Sequence, residues 1–95
     1  MVLLKAHDKY GWVTCRIEGR YVQAKVYDQK SSFGINGGRV SKLSIGKTAY
    51  INSNLDFLEQ MDFNYDRGAD FNHLPRGVLG KVLVELEALP PCPAE

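Results

Sequence analysis

Residues 12–27 constrain the fold of this chain more than any other segment. Val13, Cys15 and Ile17 alternate with Trp12, Thr14, Arg16 and Glu18. Beyond Gly19-Arg20, Val22, Ala24 and Val26 alternate with Tyr21, Gln23, Lys25 and Tyr27. A period of two is the mark of a half-buried strand, and a Gly-X pair between two such runs suits a two-residue type II′ turn. That turn sets Ile17 against Val22, Cys15 against Ala24 and Val13 against Val26 on one apolar face. On the other face it sets Trp12 against Tyr27, Thr14 against Lys25 and Arg16 against Gln23. A lone hairpin is marginal in water, so further strands and a covering element must bury the apolar side.

The remaining sequence supplies both. Residues 28–38 form a polar loop with several glycines. Val40, Leu43 and Ile45 then predict a third strand, with a slip of one in the phase near Lys42. Gly46-Lys47 turns the chain into a fourth strand over residues 48–52. Asn54 is a candidate cap for one helical turn over Leu55, Phe57 and Leu58. Met61, Phe63 and Tyr65 alternate with Asp62, Asn64 and Asp66, a fifth strand that ends at Arg67-Gly68.

The last element is a helix. Pro75 suits its first position, and Val78, Leu79, Val82, Leu83, Leu86 and Leu89 recur at three- and four-residue spacing until Pro90 and Pro91 end it. The fold class expected is α+β, an antiparallel meander of about five strands with one C-terminal helix. All 95 residues belong to one small domain, with residues 90–95 as a Pro-rich tail. No apolar run approaches a membrane span and residues 1–5 are too short for a signal-peptide core, so the expected location is cytoplasmic.

Few residues offer chemistry. Cys15 falls on the apolar phase and reads as a small buried hydrophobe, and Cys92 as an exposed tail residue. Neither has a CxxC partner. The only histidines, His7 and His73, lie outside any nucleophile setting; His73 reads as a loop or cap residue. Asp62-x-Asn64-x-Asp66 has the opening spacing of a calcium loop, but the glycine comes late, at Gly68, and His73 stands where glutamate is needed. Neither a catalytic group, nor a metal, nor a cofactor is expected.

Charge is more informative. Residues 1–47 carry nine Lys and Arg against three acids, while residues 48–95 carry three against eight. Such asymmetry marks either an anionic ligand or halves that pair with each other. Within Ser31-Ser32-Phe33-Gly34-Ile35-Asn36-Gly37-Gly38-Arg39-Val40-Ser41-Lys42 the glycines allow backbone N–H groups to converge on an anion, with charge from Arg39 and Lys42. The same Asn-Gly-Gly string serves a turn with positive φ.

Two segments carry a resemblance. Residues 26–32 with Gly34-Ile35-Asn36-Gly37-Gly38-Arg39-Val40-Ser41-Lys42-Leu43, and then Tyr65-Asp66-Arg67-Gly68, resemble a family of small uncharacterised proteins of phage and prophage genomes. The likeness runs from the Trp12 strand to the final helix. Two places depart from it: Ala69 stands where tryptophan usually follows, and residues from about 52 to 60 look like added length.

By analogy with phage anti-defence sponges, the resemblance implies a protein of an infected bacterial host's cytoplasm. Such a protein sequesters a phosphate-bearing nucleotide signal, cyclic ADP-ribose-like or a cyclic dinucleotide, without catalysis. Its expected ligand-binding residues are Trp12, Tyr27, Ser32, Phe33, Gly34, Asn36, Gly37, Gly38, Arg39, Ser41, Lys42, Tyr65, Asp66 and Arg67. A homodimer is expected, because one 95-residue domain has little room to enclose a nucleotide. The alternative is a protein-interaction module that docks through Trp12, Tyr21 and Tyr27. Nucleic-acid binding is disfavoured by a net charge of only +1. A phosphodiesterase using Asp66 or His73 is the remaining reading.

Overall fold

A computed structural model of the chain describes residues 1–91. Cys92 and the end of the tail lie outside the described residues. Six strands, β1 (Val2–Lys5), β2 (Trp12–Ile17), β3 (Arg20–Val26), β4 (Val40–Gly46), β5 (Met61–Asp66) and β6 (Ala69–Asn72), follow in that order across one antiparallel sheet. One helix, α1 (Val78–Glu87), packs on one of its faces.

The β2–β3 hairpin forms with the expected apolar face but a different turn. Ile17 pairs with Arg20, Cys15 with Val22 and Val13 with Ala24; on the other face Arg16 pairs with Tyr21, Thr14 with Gln23 and Trp12 with Lys25. The turn is therefore Glu18-Gly19, not Gly19-Arg20, and both residues have positive φ, 54° and 70°. This type I′ geometry matches the twist of the flanking strands, and its one demanding feature is the left-handed glutamate. The register moves by two residues, a whole period, so each side chain keeps its face. Cys15 is fully buried.

The phase slip in β4 is a bulge. Lys25 pairs with Lys42 and the next pair is Val26 with Val40, so Ser41 is the extra residue and is drawn into the interior beside Val40. Residues 48–52 are not a strand. Their backbone groups go to other partners: Thr48 O accepts from Tyr21 N and Ala49 O from Arg16 Nε, while the Gln60 amide accepts from Asn52 N at 2.8 Å and donates to Asn52 O and Asp56 O at 2.9 and 3.1 Å. The single helical turn is Leu58–Gln60, and Asp56 Oδ2, rather than Asn54, accepts the Glu59 N–H.

The strands β1 and β6 were not expected, and with four of the five expected strands they make the six. Both are short edge strands, and β6 is reached through Arg67-Gly68, with Arg67 at φ 57°. The helix starts at Val78, three residues after Pro75, because Gly77 sits at φ 87° and leaves the right-handed helical path. Val82 and Leu86 are buried against Val13, Cys15, Val22, Leu43, Ile45 and Phe63, and half-buried Val78, Leu79 and Leu83 flank them. None of the described helices is long and apolar enough to cross a membrane.

Candidate functional site

The face of the sheet that α1 leaves open carries its side chains in cross-strand rungs. One rung is Trp12, Lys25, Lys42 and Asp66 across β2 to β5; the next is Thr14, Gln23, Ser44 and Asn64. Farther along, Arg16 lies under the Tyr50 ring at 4.4 Å, and Tyr21 meets Phe57 edge-on, so residues 47–57 cover that end. The other end stays open.

At the open end Lys25, Tyr27, Ser31, Phe33, Ser41, Lys42 and Arg67 line a hollow of about 290 Å³. Local structure explains how they meet. Tyr65 Oη donates to Phe33 O at 2.9 Å, which draws the glycine loop against β5. Arg67 N donates to Ser41 O, which ties the β5–β6 turn to the bulge. Left-handed φ at Arg67 lets the turn close, and its side chain is 64% exposed. Lys25 Nζ lies 5.8 Å from the Trp12 ring centre and 5.3 Å from that of Tyr27. Beside that ammonium the Tyr27 phenol ionises more easily than usual.

Ser41 is 2% exposed and its hydroxyl has no hydrogen-bond partner. It lies near enough to Tyr27 to favour the phenolate, though not in bonding geometry. A buried unpaired hydroxyl costs about 1–3 kcal/mol, so its presence in this wall calls for an explanation.

A second hollow, of about 200 Å³, adjoins the first through Lys42. Trp12, Gln23, Ser44, Asn64, Tyr65 and Asp66 line it with Lys42. Asp66 Oδ1 lies 3.7 Å from Lys42 Nζ and 3.6 Å from Arg67 Nε, close enough to attract both cations without a hydrogen bond to either.

Of the residues expected to bind ligand, the structure thus brings Tyr27, Phe33, Ser41, Lys42 and Arg67 to the first hollow and Trp12, Tyr65 and Asp66 to the second. The others stand apart. Ser32 is an exposed loop residue next to the first hollow. Gly34 crosses Gly38 so closely that a Cβ would meet Gly38 O at 1.9 Å. The N–H groups of Gly34, Gly37 and Gly38 donate to Ser31 O, Gly34 O and Ile35 O, so the loop uses its own donors and presents none of these three to an anion.

Asn36 and Gly37 take left-handed φ of 55° and 70° and, with Gly38 and Arg39, face a third hollow on the α1 side. Arg39 is committed there. Its guanidinium donates to Tyr27 O, Glu87 O, Leu89 O and Pro90 O, and its backbone N–H to Glu87 Oε2. The expected single cradle is therefore two separate places, because the glycine turn, at the end of the sheet between β3 and β4, leaves Phe33 at one hollow and Arg39 at the other. The expected ligand-binding residues left out Lys25, Gln23, Ser44 and Asn64, and also Ser31, although it lies in the glycine segment singled out from the sequence. A Glu18-Gly19 turn would have set Lys25 beside Trp12 and Gln23 beside Thr14 from the sequence alone.

His73 stacks on Phe71 at 5.6 Å, beside Lys47 and Leu58 in a different hollow from Asp66. The two charge halves do meet within the chain, through Arg20–Asp62 at 2.8 Å and Lys42–Asp66. In a comparison with known families, the model of a domain of unknown function, DUF7678, matches residues 11–85. The chain belongs to the DUF7678 family. The DUF7678 match takes in every residue of the two adjoining hollows. No curated protein and no solved structure matches the chain.

Proposed function

We propose that this DUF7678 chain is a non-catalytic binding domain that sequesters a phosphate-bearing nucleotide on its open sheet face. The observation that carries the reading is the hollow around Ser41. Ser41, whose buried hydroxyl has no partner, lines the same hollow as Lys25, Lys42 and Arg67. In this reading the Ser41 side chain rotates toward the hollow and donates to a phosphate oxygen while the cations neutralise its charge. Tyr27 and Phe33 on the rim offer ring faces to a base or ribose. The lining holds no imidazole, thiol or carboxylate to act as a base, and Asp66 and His73 line different hollows, which favours binding over phosphodiester cleavage.

By analogy with phage sponges, the ligand proposed is a cyclic ADP-ribose variant or a cyclic dinucleotide. Of the two adjoining hollows, the first stands at the lower edge of the roughly 300–1,000 Å³ of pockets that enclose a whole small ligand and the second below it, so a second copy closes over the face in this proposal. Docking through Trp12, Tyr21 and Tyr27 is the weaker reading. Tyr27 is exposed, but Trp12 and Tyr21 are half-buried, and Tyr21 Oη is engaged by Gln23 at 3.0 Å.

Calorimetry against a panel of cyclic nucleotides tests the proposal. The expected result is binding tighter than micromolar to at least one of them, weakened tenfold or more by Lys42→Ala. Failure of the whole panel, or an affinity indifferent to Lys42→Ala and Lys25→Ala, refutes it.

A further inference from the structure

The second hollow has a polar pattern of its own. Gln23 Oε1 accepts from Tyr21 Oη, which leaves its Nε2 as a donor. Ser44 Oγ donates to Asn64 Oδ1 at 2.7 Å and Asn64 Nδ2 donates to Asp70 Oδ2 at 2.6 Å, so the Asn64 amide is already satisfied on both sides. Asp66 Oδ2 has no partner among the described residues, and Oδ1 has only the two distant cations. Trp12 forms the wall at the other end of the rung. The hollow thus offers a stacking ring, an amide donor and a carboxylate with open acceptor sites, next to the cations that hold phosphate.

We infer that this hollow reads guanine, an inference that rests on the nucleotide reading above. Guanine alone among the four bases has two adjacent donors, N1–H and the N2 amine, beside one acceptor, O6. The Asp66 carboxylate accepts from both donors, Gln23 Nε2 donates to O6, and the ring stacks on Trp12. Adenine would turn the lone pair of N1 toward the carboxylate. Cytosine has a lone pair at the same place, and uracil has a single donor between two carbonyl oxygens. Asp66 also explains why a carboxylate stands beside a phosphate hollow, where it would otherwise only oppose the ligand's charge.

Trp12 is the sole tryptophan, so its fluorescence reports stacking directly. Titrations with GMP, IMP, AMP, CMP and UMP, and with cyclic di-GMP against cyclic di-AMP, are run on the native chain and on Asp66→Asn. Asp66 sits half-exposed at a strand end, so the variant keeps the fold, which thermal melting checks. The expected order is GMP, then IMP, then AMP, with GMP favoured about tenfold or more over AMP, the size of one bidentate contact.

Removing a negative charge strengthens phosphate binding for every nucleotide, so the ratio of GMP to AMP affinity is the readout. It collapses toward one in Asp66→Asn. Equal affinities for all bases in the native chain, or a guanine preference that survives Asp66→Asn, overturn the inference and leave the phosphate site standing. No binding of any probe, with Lys42→Ala likewise silent, overturns both.

Discussion

Replacing Arg39 with alanine should destabilise the chain and leave nucleotide binding intact, and the structure sets the size of both effects. The guanidinium joins the end of β3 to the end of α1. It donates to Tyr27 O at 2.7 Å, to Glu87 O at 3.0 Å, to Leu89 O at 2.7 Å and to Pro90 O at 3.3 Å. The Glu87 and Leu89 contacts are partly buried; the other two face solvent and are discounted. Hydrogen bonds from a charged donor contribute about 1.5 kcal/mol each at the low end of their range, and a cation at a helix C-terminus adds roughly 0.5 kcal/mol. The expected loss is therefore about 2–3.5 kcal/mol, or roughly 10–20 °C in Tm for a chain of this size.

Urea unfolding followed by Trp12 fluorescence should show a lower midpoint with an unchanged slope. Below its own Tm the Arg39→Ala protein should bind nucleotide within about twofold of the native chain, a change worth roughly 0.4 kcal/mol. A stability loss under about 0.5 kcal/mol, the level of an ordinary surface change, would refute the clamp. Lost binding with stability intact would make Arg39 a ligand residue after all.

Four further outcomes follow from the same contacts. Ser41→Ala should raise stability by about 1 kcal/mol, by removing an unpaired buried hydroxyl, and weaken nucleotide binding several-fold; a change of the same sign in both measurements refutes the assignment. Glu18→Asn should raise the urea midpoint by about 0.5–1 kcal/mol of stability, because asparagine tolerates the left-handed turn position; an unchanged or lower midpoint counts against a type I′ turn. Burial pushes the Cys15 thiol up from 9.0 to about 11, so the folded state favours the neutral form. That contribution is complete below pH 9 and lost as pH rises toward 11, and the decline should be shallower in Cys15→Ala; equal declines in the two proteins refute it. Tyr65→Phe removes the bond to Phe33 O and should cost about 1 kcal/mol of stability together with a larger loss of nucleotide affinity, whereas full affinity would show that the loop holds its place unaided.

The sheet was legible where burial is one-sided. The alternation of Val13, Cys15 and Ile17 with polar partners survives any even shift of register, so the core face was readable although the turn was placed one residue late. Its turn was not, because Glu18 with positive φ has no mark in composition, while Gly19 suits either hairpin type. Edge strands left little trace. Residues 69–72 carry one aromatic among small and polar residues, and all four residues of β1 are exposed, so neither has the two-sided contrast that reveals a central strand.

Residues 48–52 had the apolar content of a strand, yet their backbone groups went to distant partners: Thr48 O to Tyr21 N, Ala49 O to the Arg16 side chain, and both groups of Asn52 to the Gln60 side chain. The same distinction separates the site residues. Tyr27, Ser41, Lys42 and Arg67 could be proposed from local sequence, whereas the removal of Arg39 depends on Glu87 and Leu89, some fifty residues along.

The position of the site in the fold follows from the β4 bulge. In a regular strand Ser41 would alternate with its neighbours and find a ladder position. Here the extra residue keeps Val40 opposite Val26 in the core and Lys42 opposite Lys25 on the open face, so Ser41 has to turn inward. Its carbonyl then receives Arg67 N, so the bulge also fixes the β5–β6 turn that carries the third cation. One irregularity therefore sets the buried hydroxyl, Lys42 and Arg67 around a common space. Its costs are an unsatisfied donor and a non-glycine residue at φ 57°. Folding alone rewards neither, and in a chain with a total stability of about 5–15 kcal/mol they are a substantial fraction. Under the proposed reading, a bound phosphate satisfies the donor and uses the cation that the turn presents, which gives both departures from regular structure a common reason.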